Sequence, residues 1–142
     1  MNLLGSRARR CAFAAFAVAV FIATHWPNLQ LPGTGRPDLL VHVVVFAAWT
    51  AMLIIAGFFG PPFSLRNIGM AALIAPVYAA IDEGLQAIPF IRRHAALDDW
   101  GANVSGIALA CLAALAVRAA LGLRAGPSGA VNHHQPGDSH GE

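Results

Sequence analysis

Residues 38–59 read DLLVHVVVFAAWTAMLIIAGFF. Asp38 opens this stretch, and only His42 and Thr50 interrupt the apolar run that follows it. A helix of this length rises far enough to cross a membrane core about 30 Å thick. The stretch therefore predicts a transmembrane helix, and the sequence GPP at 60–62 predicts its end.

The composition of the whole chain agrees with a membrane protein. Hydrophobic residues make up 57% of the 142 residues and charged residues 11%, against roughly 25% charge in soluble domains. A small soluble domain has too much surface for its volume to hide so many apolar side chains. The net charge of +2 and the scattered arginines exclude a phosphate-tracking surface, so no nucleic-acid partner is expected.

Three further segments resemble the first in length and polarity, and they lie at about 8–26, 67–88 and 98–123. The fold class predicted is all-α, a four-helix transmembrane bundle spanning residues 1–124. Residues 125–142 are polar and rich in Gly, Pro and His, which predicts a disordered tail.

The first segment has an alternative interpretation, because a basic start followed by a short apolar core also fits a cleavable signal peptide. Trp26 follows the apolar stretch and no small-x-small cleavage site lies beside it. Tryptophan is typical of the membrane interface, so we expect this helix to be retained.

The arginines predict the orientation. Cytoplasmic loops of membrane proteins carry the excess of basic residues. With the N-terminus inside, six arginines lie on the cytoplasmic side and three outside, which favours N-in and C-in. The inner set is Arg7, Arg9, Arg10, Arg66, Arg118 and Arg124, and the outer set is Arg36, Arg92 and Arg93.

The polar residues that cost free energy to place within a membrane fall at one membrane surface, predicted to be the extracytoplasmic one. Ionisable groups at the edge of a membrane span call for a partner or a function. They are Asp38 and His42 of helix two, Asp82, Glu83 and Gln86 of helix three, Arg92, Arg93 and His94 of the next loop, and Asp98, Asp99 and Asn103 of helix four.

The spacing in helix four places several of these groups together. Asp99, Asn103 and Gly106 recur at i, i+4 and i+7 and share one face. A short loop joins helices three and four, so the two helices are expected to be antiparallel neighbours. Glu83 and Asp99 then face each other, with Arg93 available between them. The small residues of helix four permit close helix association within one chain or in a homo-oligomer.

Structural roles are alternatives for each of these residues. Asp98 or Asp99 would cap helix four, and Asp38 would complement the dipole of helix two. Glu83 and Arg93 would form an ion pair that holds the loop. His42 alone would be a packing histidine.

No metal or cofactor site is predicted. The tail histidines His133, His134 and His140 lack a fixed spacing on an ordered element. The sequence also has no nucleophile-elbow, zinc-protease or phosphate-loop motif.

Two groups of polar residues resemble the VanZ-like family of bacterial membrane proteins, named for a protein linked to resistance to teicoplanin. The resemblance covers about residues 11–117. The first group matches the family's Asp-Lys-x-x-His and the second its Glu-x-x-Gln…Arg…Asp-x-x-x-Asn-x-x-Gly. Here the matching residues are Asp38 and His42, then Glu83, Gln86, Arg93, Asp99, Asn103 and Gly106.

The chain departs from the family pattern at three points. Leu39 stands where the family has the lysine, and Phe46 stands where a tyrosine is common. The spacing from Gln86 to Arg93 is one residue longer than usual, so Arg92 is an alternative match. The resemblance implies a multi-pass protein of the bacterial cytoplasmic membrane, related to the cell envelope and in some members to glycopeptide resistance.

Two functions fit these residues. In the first, which we favour, the chain is not an enzyme and binds an anionic lipid head group or a cell-wall precursor. Arg93 would contact the anion, and the ligand-binding set is Asp38, His42, Glu83, Gln86, Arg93, Asp99 and Asn103. In the second, the chain is a small membrane enzyme acting on lipid-linked substrates. Its candidate catalytic residues are Glu83 as general base and His42. A transport or assembly role is a further alternative.

Overall fold

The computed structural model describes residues 5–26, 37–86 and 97–123, without the side chains of Pro37 and Asp38. These residues form four helices: α1 (Ser6–Thr24), α2 (Pro37–Ala56), α3 (Leu65–Gln86) and α4 (Leu97–Ala120). The all-α prediction is therefore confirmed, and each predicted helix differs by at most three residues at either end. The predicted tail at 125–142 lies outside the described residues.

Three of the four helices are long and apolar enough to cross a membrane. They are α2 through its segment Leu39–Ala56, α3 and α4. Only 28–39% of the residues in these apolar windows are buried inside the bundle. Large apolar side chains cover the outside, such as Leu73 and Leu112, and lipid is the solvent that suits this surface.

Local sequence explains where the helices begin and end. The Ser64 hydroxyl accepts a hydrogen bond from the backbone N–H of Asn67 over 3.3 Å, which caps the start of α3. Gly57 follows α2 with a φ of 66° and Gly122 follows α4 with a φ of 61°. Glycine adopts this left-handed conformation without steric cost, so both helices end where the sequence supplies one.

The most extensive packing in the bundle joins α2 to α4, and α2 also contacts α1 and α3. The approach of α4 to α2 requires a glycine. A Cβ atom at Gly106 would overlap the Val43 carbonyl oxygen, closer than real Cβ contacts allow. The prediction that this face of helix four permits close approach is confirmed.

An apolar core fills the middle of the bundle. Phe46 is fully buried on α2, and Trp49 stacks on Tyr78 of α3 with ring centroids 4.6 Å apart. Phe13 brings α1 into the same core, its ring 5.1 Å from Trp49. This core separates two polar regions, one at each end of the bundle.

Candidate functional site

Buried polar side chains lie together at one end of the bundle. All four helices contribute to this end: α1 and α3 end there, and α2 and α4 begin there. Six of these side chains are less than 15% exposed. Polar and ionisable side chains of this kind lie mostly on the surface of soluble proteins. The six are His25, His42, Asp82, Glu83, Gln86 and Asn103. They form two clusters, and each cluster joins different helices.

The first cluster is a chain of hydrogen bonds across α2, α4 and α3. Asn103 is fully buried on α4. Its Oδ1 lies 2.9 Å from His42 Nδ1, and its Nδ2 donates to Glu83 Oε1 over 3.0 Å. Because the amide nitrogen donates to Glu83, the amide oxygen must accept from His42. The His42 ring therefore carries its hydrogen on Nδ1.

Asp99 completes this cluster from the first turn of α4. Its Oδ2 lies 3.9 Å from His42 Nε2, and Glu83 Oε1 lies 3.6 Å from His42 Nδ1. Both distances exceed that of a direct hydrogen bond. The histidine thus lies between two carboxyl groups, with hydrogen bonding through Asn103 on one side only. We call His42, Glu83, Asp99 and Asn103 the polar cluster.

Two carboxyl oxygens of the polar cluster are buried without a hydrogen-bond partner among the residues that the structure describes. They are Glu83 Oε2 and Asp99 Oδ1. A buried acceptor without a donor costs roughly 1–3 kcal/mol, more when it is charged, and native structures rarely keep one without a reason. The polar cluster therefore presents hydrogen-bond acceptors that a donor group can satisfy.

The second cluster joins α1 to α3. Both carboxyl oxygens of Asp82 accept a hydrogen bond in it. Thr24 Oγ1 donates to Asp82 Oδ1 over 3.1 Å, and Gln86 Nε2 donates to Asp82 Oδ2 over 3.0 Å. His25 Nδ1 lies 3.7 Å from Asp82 Oδ1, and its ring stacks on Phe21. This cluster attaches the end of α1 to the end of α3.

Of the seven residues predicted to bind a ligand, the structure brings four together: His42, Glu83, Asp99 and Asn103. Gln86 lies one turn beyond Asp82 on α3 and bonds to that residue, so it belongs to the second cluster. The side chain of Asp38 and the whole of Arg93 lie outside the described residues, and so does the predicted ion pair of Arg93 with Glu83.

The structural alternatives fare differently. His42 is buried and hydrogen-bonded, as a packing histidine would be, but it lies against two carboxyl groups. Asp98 and Asp99 occupy the first turn of α4, where carboxylates favour the helix dipole. Among the described residues no group of three or more His, Cys, Asp or Glu side chains is arranged to hold a metal ion. The tail histidines lie outside them.

Sequence reasoning missed Thr24 and His25 as members of a polar site and gave Asp82 no role of its own. The signal for Gln86 and Asp82 was present, because residues at i and i+4 share a helix face. Trp26 is interpreted from the sequence only as a membrane-interface residue, and His25 beside it is given no role. Nothing in the spacing indicated that the end of α1 would lie beside Asp82.

No protein-family model, curated protein or solved structure matches this chain.

Proposed function

We propose that the chain is a VanZ-like protein of the bacterial cytoplasmic membrane, a four-span bundle with both termini inside. Three helices with apolar outer faces support the membrane location. α1 supports a fourth span, since it has 19 residues and packs on α2. The resemblance is supported by the meeting of His42, Glu83, Asp99 and Asn103, which come from three different helices.

The function proposed is binding, at the polar cluster, of a lipid head group or cell-wall precursor on the extracytoplasmic membrane surface. The observation that carries it is the pair of buried, unpartnered oxygens Glu83 Oε2 and Asp99 Oδ1. A ligand that supplies N–H or O–H donors removes the cost of leaving them unpaired. Sugar hydroxyls and ammonium groups supply such donors.

In its neutral form, with the hydrogen on Nδ1, the His42 ring supplies a third acceptor at the same place. This acceptor is Nε2, which lies 3.9 Å from Asp99 Oδ2. Two acceptors at that separation attract a hydroxyl or ammonium group that donates to either of them. The recognition groups described are thus acceptors, and the anionic part of the ligand is assigned to Arg93, which lies between α3 and α4 in the sequence.

Native mass spectrometry of the chain purified from bacterial membranes tests this proposal. Asp99→Asn removes the charge and one acceptor oxygen, and we expect it to lower the amount of co-purified lipid several-fold. Asp98→Asn is the matched control, because Asp98 is the exposed neighbour in the same helical turn. Equal lipid profiles for wild type and Asp99→Asn would contradict the binding function. Tolerance of teicoplanin is one readout for the envelope role.

An enzymatic function is a second candidate, favoured by the hydrogen bonds from Glu83 through Asn103 to His42. In catalytic triads a carboxylate bonds directly to the histidine that acts as general base, and here Glu83 is connected to His42 through the Asn103 amide. His42 Nε2 or Glu83 Oε2 would take the proton of a water molecule or substrate hydroxyl in a lipid-linked substrate. Glu83→Gln keeps the shape of the side chain and removes its basicity. If that variant retains lipid and full function in cells, the chain is not such an enzyme.

A further inference from the structure

A second polar surface lies at the opposite end of the bundle, where α1 begins, α2 ends and α3 begins. It is a concave pocket of about 500 Å³, lined by Arg9, Arg10 and Arg66 and by the loop 57–62. The carboxylates of the described helices, by contrast, lie at the end that holds the polar cluster. We call this surface the arginine pocket.

The loop that forms one wall of the arginine pocket is held in a fixed conformation. Asn67 is buried on α3, where its Nδ2 donates to the Ile54 carbonyl over 2.7 Å and its Oδ1 accepts from the Phe59 N–H over 3.2 Å. Gly57 makes the tight turn possible, because an added Cβ would lie 2.9 Å from the Gly60 carbonyl oxygen. The wall is therefore preorganised and does not need to fold around a ligand.

Two arginines of α1 are positioned on this loop by hydrogen bonds. Arg9 Nε donates to the Ile55 carbonyl and Arg10 Nη2 to the Gly57 carbonyl, each over 3.1 Å. The Arg10 guanidinium also lies 5.2 Å from the centre of the Phe58 ring, a cation–π contact. A guanidinium has five N–H donors, so the bond from Arg10 to Gly57 leaves donors for an anion.

We propose that the arginine pocket binds the phosphate of an anionic membrane lipid. Arginine pairs with phosphate through two parallel hydrogen bonds, and basic pockets between transmembrane helices are suited to lipid phosphates. The pocket lies at the level where α2 ends and α3 begins, hence at a membrane surface if these helices span the bilayer. This site is separate from the polar cluster and does not depend on what binds there.

The surroundings of the pocket favour a lipid over a soluble phosphate. Phe58 is 41% exposed in the pocket wall, and Leu65 beside Arg66 is 53% exposed. Exposed apolar side chains next to cations suit a molecule that is charged at one end and apolar at the other. A soluble phosphate compound would use the arginines and gain nothing from these side chains.

Titration of the full chain with phosphatidylglycerol, monitored by native mass spectrometry in detergent, tests the proposal. We expect Arg10→Gln and Arg66→Gln each to weaken binding about fivefold. Arg118→Gln is the matched control: it removes the same charge from a side chain that bonds to the Phe63 carbonyl and does not line the pocket. A parallel titration with phosphatidylcholine, which has no net charge, measures the lipid binding that does not depend on anionic charge.

Three outcomes would overturn the proposal. The first is equal phosphatidylglycerol binding by wild type and the Arg10 and Arg66 variants, and the second is an equal loss in Arg118→Gln. The third is equally tight, arginine-dependent binding of glycerol phosphate, which would make the ligand a soluble phosphate. Arg66 is exposed, so its variant keeps the test decisive if Arg10→Gln does not fold.

Discussion

Asn103 donates a hydrogen bond to Glu83 Oε1 over 3.0 Å, and this contact joins α4 to α3 where both side chains are buried. The same amide accepts from His42 on α2. One side chain thus connects three helices at the end of the bundle that holds the polar cluster. It also sets the tautomer of the histidine, so it determines which groups remain open to a ligand.

Replacing Asn103 should therefore reduce stability as well as binding. Asn103→Leu keeps the approximate volume but removes both hydrogen bonds, leaving His42 Nδ1 and Glu83 Oε1 without their partner. Hydrogen bonds between membrane helices contribute about 0.6 kcal/mol on average and up to about 1.7 kcal/mol, so we expect a loss of roughly 1–3 kcal/mol. Thermal unfolding in detergent measures it, with exposed Ser105→Ala as control. An unchanged midpoint for Asn103→Leu would show that the bonds are not formed.

A second prediction concerns the close approach of α4 to α2. Gly106→Ala places a methyl group against the Val43 carbonyl, and overpacking of this kind costs about 1–3 kcal/mol. Gly101→Ala, in the same helix, has no atom within 4 Å of the added Cβ. It should stabilise α4 by about 0.5–1 kcal/mol, because alanine has less conformational freedom to lose than glycine. Opposite shifts of the unfolding midpoint are the expected result, and shifts of the same sign would contradict this packing.

A third prediction compares two threonines, Thr24 at the half-buried end of α1 and Thr50 in the middle of α2. Thr24 donates to Asp82, so Thr24→Val should destabilise the attachment of α1 by roughly 1 kcal/mol. Thr50 is fully buried, and within the described part of the chain its hydroxyl has no hydrogen-bond partner. Thr50→Val should therefore be neutral or stabilising, since it removes a buried polar group that is not satisfied. Unfolding in detergent checks both variants, and a larger loss for Thr50→Val than for Thr24→Val would refute the assignment.

The sequence predicted the four helices because their apolar runs are long and end at glycine, proline or polar residues. It also predicted that Glu83, Asp99 and Asn103 would meet. A short loop makes α3 and α4 antiparallel neighbours, and the spacing of Asp99 and Asn103 fixes their common face. His42 joined them because its helix starts at the same membrane surface.

The second cluster was not predicted, and the reason is geometric. Twelve residues (25–36) separate α1 from α2, so spacing in the sequence does not determine which residue of α3 lies beside Thr24. The family resemblance grouped Gln86 with Glu83 in one binding site. In the helix, however, Gln86 lies one turn after Asp82 and bonds to that residue. The arginine pocket was also missed, because Arg9, Arg10 and Arg66 were considered only for orientation and not for their contacts with the loop 57–62.

The most direct test of the central claim, a four-span bundle whose polar cluster faces the extracytoplasmic surface, is a measurement of topology. Cys11 and Cys111 are first replaced by alanine, and single cysteines are then introduced at Ala95 and Ser128. Intact cells are treated with a membrane-impermeant thiol reagent, and lysed cells provide the control for reactivity. We predict labelling at position 95 and none at position 128. Labelling at position 128 alone would show that the polar cluster faces the cytoplasm. Equal labelling at both positions, or at neither, would contradict the four-span bundle.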